Sequence, residues 1–481
     1  MITGQIVGQA SRLSAGRLAL EATTAGETPG AAGGTPAPLP DLPEQLRKMN
    51  TQHTRRKFIQ QTALGAAGFF LGVAAARARK ISPNEKLNIG MIGVAHQAHY
   101  DLNNVASQNI VALCDVDDSF LASAAKKYPG AKTYADFRRL LDQKDIDAVV
   151  IATPDHTHAV ATVAALKSGR HVYCEKPLTH TISECRIVME TTRKMKLVTQ
   201  IGTQIHAGTN YRRVVELVQT GAIGPISEVH VWVNATYGGK ERPTDTPPVP
   251  PQLHYDLWLG PAAERPYSPE YLPINWRHWW AFGGGALADF GCHFMDLPHW
   301  ALGLRAPLSA EVVEGPPVHP ESTPPWLIVR YEYPARESKP PVRLTWYHGG
   351  KHPEPPVLSA ELGEKWKGGG VLFIGSKGML LSDYNNHVLL PEKDFAGFVP
   401  PKPFIPDSIG HHAEWIQACK TGGPTTCNFE YSGSLTEAAL LGNVAYRVGK
   451  KIDWDSKNLR ATNCPEAAQF VQHQYRAGWK I

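Results

Sequence analysis

From residue 87 onward the chain alternates short, wholly apolar runs with amphipathic stretches, and this rhythm constrains the fold more than any other feature. Residues 87–94, 110–116, 148–153, 172–174 and 197–200 read as buried strands. The segments between them, up to about residue 107 and then 118–128, 158–168 and 183–196, read as helices. Strands that are apolar on both sides need cover on both sides, and strands joined through helices run parallel. The pattern predicts an α/β fold with an N-terminal doubly wound parallel sheet over residues 86–204. Beyond it the rhythm changes. Residues 211–219 read as a helix, and 226–234 alternate apolar and polar residues as a half-exposed strand does. Further strands are expected at 326–333, 342–348, 371–374 and 379–382, with helices at 412–420 and 435–448. Residues 205–481 therefore form a second α/β domain. Its Pro-rich stretches, 244–251 and 315–325, are long enough to be rim or lid elements.

The beginning of the chain reads as addressing. Residues 1–48 are rich in Ala, Gly, Pro and Thr without apolar periodicity, so they build no core and read as a disordered or over-extended start. Arg55-Arg56-Lys57-Phe58 then precedes an apolar stretch from 63 to 76 that ends in Ala76-Arg77-Ala78, a small-x-small cleavage pattern. Residues 49–80 read as an export signal resembling the twin-arginine type, with Met49 where a start would fall. Such a protein reaches the periplasm or exterior already folded, with no membrane association after cleavage. A retained anchor is the alternative, although the run is short for a span.

Composition excludes some classes. The 481 residues carry a formal net charge of +5 without a dense basic block, which argues against a nucleic-acid partner. Seven cysteines are widely spaced with no zinc-ligand pattern, so no metal site is expected. Cys114 and Cys174 read as core residues, whereas Cys419 and Cys427 could pair across a Gly-rich turn in an oxidising compartment.

The first strand runs into Gly93-Val94-Ala95-His96-Gln97-Ala98, where a dinucleotide fold carries GxGxxG. The turn must be tight and its backbone must approach the pyrophosphate at a helix N-terminus. Gly93 and Ala98 satisfy the pattern, but Ala95 places a methyl where backbone should meet phosphate. Asp115 ends the second strand about twenty residues on, placed to accept from the adenosine ribose hydroxyls and to favour NAD over NADP. The competing reading makes it a helix cap.

Two later segments carry a resemblance. Thr153-Pro154-Asp155-His156-Thr157-His158 leads to Cys174-Glu175-Lys176-Pro177, and Asp289-Phe290-Gly291-Cys292-His293 follows more than a hundred residues later in a Gly-Gly-Gly-Ala-Leu-Ala context. Together these resemble the glucose-fructose oxidoreductase/inositol dehydrogenase/MocA family from about residue 87 to the C-terminus. The resemblance implies a Rossmann domain followed by an α/β domain with a large open mixed sheet, which floors the substrate site and mediates homo-oligomer contacts, dimer or tetramer. It implies catalytic roles for Lys176, Asp289 and His293. It implies cofactor contacts from Gly93, Ala95, Gln97, Ala98, Asp115, Thr153, Pro154, His158, Glu175 and Lys176. This chain has Asp155 where the family usually has Asn.

The trio also makes chemical sense by itself. Hydride removal from a carbinol carbon needs a base for the hydroxyl proton and a fixed positive charge for the developing alkoxide. Histidine is a natural base near neutral pH, and lysine supplies charge. If helical, Asp289 and His293 share a face, so the aspartate could orient the imidazole or bind a substrate hydroxyl. The cluster Asn275-Trp276-Arg277-His278-Trp279-Trp280 suggests sugar stacking, with Trp276 and Arg277 as candidate substrate contacts. His156, His299, His411 and His412 read as core residues. The function expected is an NAD-dependent oxidoreductase acting on a secondary hydroxyl of a sugar, glycoside or cyclitol, with a retained cofactor. Two alternatives stay open: an NAD-using glycoside-cleaving enzyme with net hydrolysis, and a non-catalytic sugar-binding protein.

Overall fold

The computed structural model describes Ser82 and residues 85–481. The expected N-terminal extension, alternative start and export signal fall outside the described residues.

Six strands form the first sheet: β1 (Asn88–Ile92), β2 (Asn109–Cys114), β3 (Lys132–Tyr134), β4 (Ala148–Ile151), β5 (His171–Cys174) and β6 (Thr199–Ile201). Their order is β3-β2-β1-β4-β5-β6, and every neighbouring pair is parallel. Helices α1 (Gln97–Val105), α2 (Asp118–Lys127), α3 (Asp155–Lys167) and α4 (Ile182–Met195) make the crossovers. Successive side chains of a strand serve opposite faces. Val149 and Ile151 of β4 accordingly enter a core with Val172 and Val188, while Ala148 and Val150 enter another with Ile89 and Met91. This is the physical content of the wholly apolar strands. Strand β3 has only three residues, Lys-Thr-Tyr, none of them buried, so no apolar run announces it.

The second sheet has nine strands. They are β7 (Ile226–Val233), β8 (Ser309–Glu314), β9 (Leu327–Tyr333), β10 (Val342–His348), β11 (Gly369–Gly375), β12 (Gly378–Ser382), β13 (His387–Leu390), β14 (Ile452–Asp455) and β15 (Arg460–Ala461). The order is β13-β12-β11-β7-β10-β9-β8-β14-β15, mixed because β7 and β10 run parallel among antiparallel neighbours. Burial along β9 alternates strictly, with Leu327, Val329, Tyr331 and Tyr333 inside. Four helices complete the frame: α5 (Thr209–Gln219), α6 (Gly285–Phe294), α7 (Asp296–Leu302) and α8 (His411–Thr421), followed by the long α9 (Phe429–Val448). Helices α6 and α9 pack in one core with the buried face of the second sheet, whereas α8 returns to the first domain and seats Trp415 against Tyr173, in the core that holds Met91. All seven cysteines are free and buried. Cys419 and Cys427 lie in different cores and form no disulfide. Among the described residues no helix is long and apolar enough to cross a membrane.

Candidate active site

The strand order reverses between β1 and β4, the position at which open α/β sheets bind ligands beyond the strands' carboxyl ends. A cavity of about 390 Å³ lies there. It runs from Asp115, after β2, past Gly93 and Ala95 to Thr153, Pro154, Glu175 and Lys176, after β4 and β5. Gly93 has φ +88°, and a Cβ on it would lie 2.5 Å from the Ala152 carbonyl oxygen, so the turn admits no side chain here. His96 also sits at positive φ (54°), a conformation rare for a residue with Cβ, at the point where the chain enters α1. Ala95 lines the cavity without closing it, and Ala98 is buried behind the turn.

Asp115 is not a helix cap. Asp117 takes that role, accepting from the Ser119 amide at 2.9 Å. Asp115 accepts from the amides of Val94 (2.9 Å) and Asp117 (3.0 Å), tying the turn to the end of β2. Burial raises its pKa, and these backbone donors oppose the rise. An elongated cleft across the switch point, with a helix N-terminus at its middle and a carboxylate at one end, fits a dinucleotide.

At the other end the catalytic candidates meet. The triple glycine before α6 permits close packing: Gly285 has φ +63°, and a Cβ there would strike Thr323. Helix α6 thereby brings Asp289 to Lys176, 113 residues earlier in the chain, in a short charge-assisted hydrogen bond donated by Nζ to Oδ1. The Arg277 guanidinium reaches the other carboxylate oxygen (Nε to Oδ2, 3.1 Å), and the Tyr237 hydroxyl donates to the same oxygen at 3.0 Å. Burial alone would raise the Asp289 pKa, but Arg277 and Lys176 outweigh it and hold the carboxyl well below its usual range. Asp289 is therefore turned to two cations and a phenol, and no hydrogen bond joins it to the imidazole. His293 sits one turn along the same helix, beside Phe290 and Tyr384, and its Nδ1 has no partner. Burial, reinforced by the Lys176 charge, lowers its pKa to about 3, which leaves the ring neutral at ordinary pH.

The remaining candidates divide. Gln97 and Glu175 line the cleft and contact each other, while Gln204 donates to Glu175 at 2.6 Å. Burial, then the nearby Asp101, raises Glu175 to about 8. His158 does not face the cleft. It is buried between the Pro177 carbonyl (2.7 Å) and the Thr153 carbonyl (2.8 Å), and since burial keeps the ring neutral it donates its single N–H to one of them, lodged between the two loops that carry Thr153, Pro154 and Lys176. Trp276 and Arg277 line the cleft, the guanidinium lying 4.1 Å over the indole. Trp279 and Trp280 are core residues whose indoles donate to the carbonyls of Glu270 and His319. His206, Asp296 and Cys427 approach within 4.8 Å of one another behind the site. Asp296 there already accepts from Tyr431 and contacts the His206 ring.

Tyr237 escapes the sequence reading, and Asp155 is noted there only as a departure from the family's Asn, without a role. Tyr237 precedes Gly238, whose missing Cβ lets that loop lie against Thr323, and this Gly-Gly pair is the signal that was available. Asp155 begins α3, is buried, accepts from the Gly284 amide and has one carboxylate oxygen without a partner. Burial raises it to about 8 despite the opposing charge of Arg277.

Fold and cleft together define a dinucleotide-binding Rossmann protein with an appended α/β domain. Comparison with known proteins makes this specific. Residues 87–203 match the oxidoreductase family described as an NAD-binding Rossmann fold, and residues 207–337 match its C-terminal α/β domain. The chain belongs to the Gfo/Idh/MocA oxidoreductase family. An inositol 2-dehydrogenase of Salmonella paratyphi B is 35% identical over 146 residues, covering 30% of this chain and 43% of that one. A levoglucosan dehydrogenase of Pseudarthrobacter phenanthrenivorans is 27% identical over 254 residues, covering 48% and 56%. The chain thus spans about half the length of these curated relatives. Among solved structures, GenD2 from gentamicin A biosynthesis in complex with NAD shares the fold with a TM-score of 0.55 at 17% identity, over 78% of this chain and 99% of that one.

Proposed function

We propose that the protein is an NAD-dependent oxidoreductase acting on a secondary hydroxyl of a sugar, glycoside or cyclitol. The observation that carries this is the clamp at the Lys176 end of the cleft: an ionised Asp289 held between Lys176 and Arg277, with a neutral imidazole one helical turn away. NAD, when bound along the cleft, supplies the hydride acceptor. Lys176 and Arg277 place positive charge where an alkoxide develops. Asp289 is held ionised by those cations and accepts from Tyr237, so it orients the donors rather than exchanging protons. His293 is neutral at ordinary pH and its Nδ1 has no hydrogen-bond partner, so the ring has a nitrogen lone pair with which to take up the hydroxyl proton.

The names of the relatives, inositol and levoglucosan dehydrogenases, support a polyhydroxylated ring as substrate. NAD is favoured over NADP because Asp115 and Asp136 both line the far end of the cleft, where a 2′-phosphate would meet two carboxylates. The export signal expected at residues 49–80 implies work outside the cytoplasm, where free nucleotide is scarce, and hence a cofactor loaded before export and retained. The test is mass spectrometry of nucleotide in the purified protein, then a panel of inositols, anhydrosugars and glycosides assayed for keto products. NADPH preference, or absence of any keto product or intermediate across the panel, would overturn the proposal. Net hydrolysis without NADH accumulation would instead select the glycoside-cleaving cycle.

A further inference from the structure

One wall of the cleft does not come from the Rossmann domain. The chain between β7 and α6 crosses the end of β2, where the Asp118 amide donates to the Gln252 carbonyl (3.0 Å) and the His254 amide donates to the Val116 carbonyl (2.8 Å). A contact between the His254 ring and the Asp118 carboxylate, 3.0 Å, fastens the same crossing. The C-terminal segment is bolted to this strap in turn. Arg476 donates to the Gly260 carbonyl and to the Asp256 carboxylate, both at 2.6 Å. Three residues further on, the Trp479 ring lies 6.0 Å from Phe137 and under the Arg138 guanidinium, 4.6 Å away. Trp479, Phe137 and Leu253 all line the cavity at its Asp115 end.

We infer that residues 250–254 and 475–481 form a clasp over the adenosine end of the cleft, that Trp479 contacts the adenosine, and that NAD exchanges only when the clasp opens. The inference rests on the NAD-binding reading above and adds the device that retains the nucleotide. A flat purine between Trp479, Phe137 and Leu253 gains stacking and apolar contact on faces that an open Rossmann cleft would leave wet. The clasp is held by hydrogen bonds that are mostly partly exposed, with Tyr475 bonded to Glu184 and Ile481 resting on the margin of the first sheet's core, so it can open by releasing these edge contacts while the strands beneath stay paired. Exchange is then gated by opening, and a slow exchange needs no unusual affinity at the phosphate turn. Ala95 and the positive-φ His96 are consistent with a turn relieved of part of that task.

The test uses the full-length protein loaded with isotopically labelled NAD⁺ and chased with excess unlabelled NAD⁺, the retained label being read by mass spectrometry. Trp479→Ala and Arg476→Ala are expected to exchange at least about tenfold faster than wild type, with melting curves confirming folded protein. Amide hydrogen exchange on wild type gives an independent reading, since the Asp118 and His254 amides should gain protection when NAD⁺ saturates the protein. Wild-type exchange rates in both variants, or unchanged protection of these amides, would overturn the clasp. A wild-type protein that binds no NAD⁺ would overturn the NAD-binding reading instead.

Discussion

Replacing Asp289 by Asn keeps the shape of the clamp and removes its charge. At the observed 3.1 Å between Arg277 Nε and Asp289 Oδ2, the gross Coulomb attraction is about 5 kcal/mol with an effective dielectric of roughly 20. Lys176 adds a second, closer pair. Desolvation has already consumed much of this, so the net worth of the clamp is smaller. Removing the carboxylate leaves two cations facing each other in a largely buried site, and breaking a buried pair of this kind costs about 3–5 kcal/mol. A double-mutant cycle isolates the physics. Lys176→Met alone leaves Asp289 still paired with Arg277, whereas Asp289→Asn alone leaves both cations unpaired. The double variant has a single cation beside an amide and should be more stable than the sum of the single losses by about 1–3 kcal/mol. Urea unfolding of the four proteins, each at the same NAD⁺ saturation, gives these values. Turnover should fall by about a hundredfold or more in either single variant, because the charge that faces the alkoxide is lost or misplaced. Additive stability losses, or Asp289→Asn with wild-type stability, would refute the clamp.

His293 is neutral down to about pH 3, so kcat/KM should show no acid limb near pH 6.5, and His293→Gln should lose about 10²–10⁴ in kcat without a comparable change in NAD⁺ affinity. The carboxyl of Asp155 is raised to about 8 by burial, so between its unfolded pKa and that value the folded state holds a proton that the unfolded state has released. Stability attributable to this group falls as pH rises through that window, and Asp155→Asn should flatten the slope, seen as a stability gain that is larger at pH 9 than at pH 5. Equal gains at both pH values would sink this. Gly93→Ala should cost about 2–4 kcal/mol and weaken NAD⁺ binding, since φ +88° and a contact of 2.5 Å with the Ala152 carbonyl force the end of β4 to move. Thermal unfolding and calorimetric titration of NAD⁺ would check both.

Much of the fold was legible because burial on two faces leaves a local trace. The runs at β1, β4 and β5 are apolar but for Asn88 and His171 at their starts, and could belong to little else than a covered parallel sheet. The half-polar edge strands β3 and β13 leave no such trace and went unseen. The spacing of Asp289 and His293 placed both on one helical face. What Asp289 does there was decided only by tertiary structure, because Lys176, Arg277 and Tyr237 arrive from other elements and turn it away from the imidazole. The same holds for Trp276: all three tryptophans within these five residues are buried, and only Trp276 also lines the cleft. A local sequence pattern reports which face of an element avoids water. It does not report which distant side chains converge, or how far their shared desolvation moves a proton. The neutral imidazole, the protonated Asp155 and the wall that Trp479 gives the cleft therefore became visible only once the chain was folded.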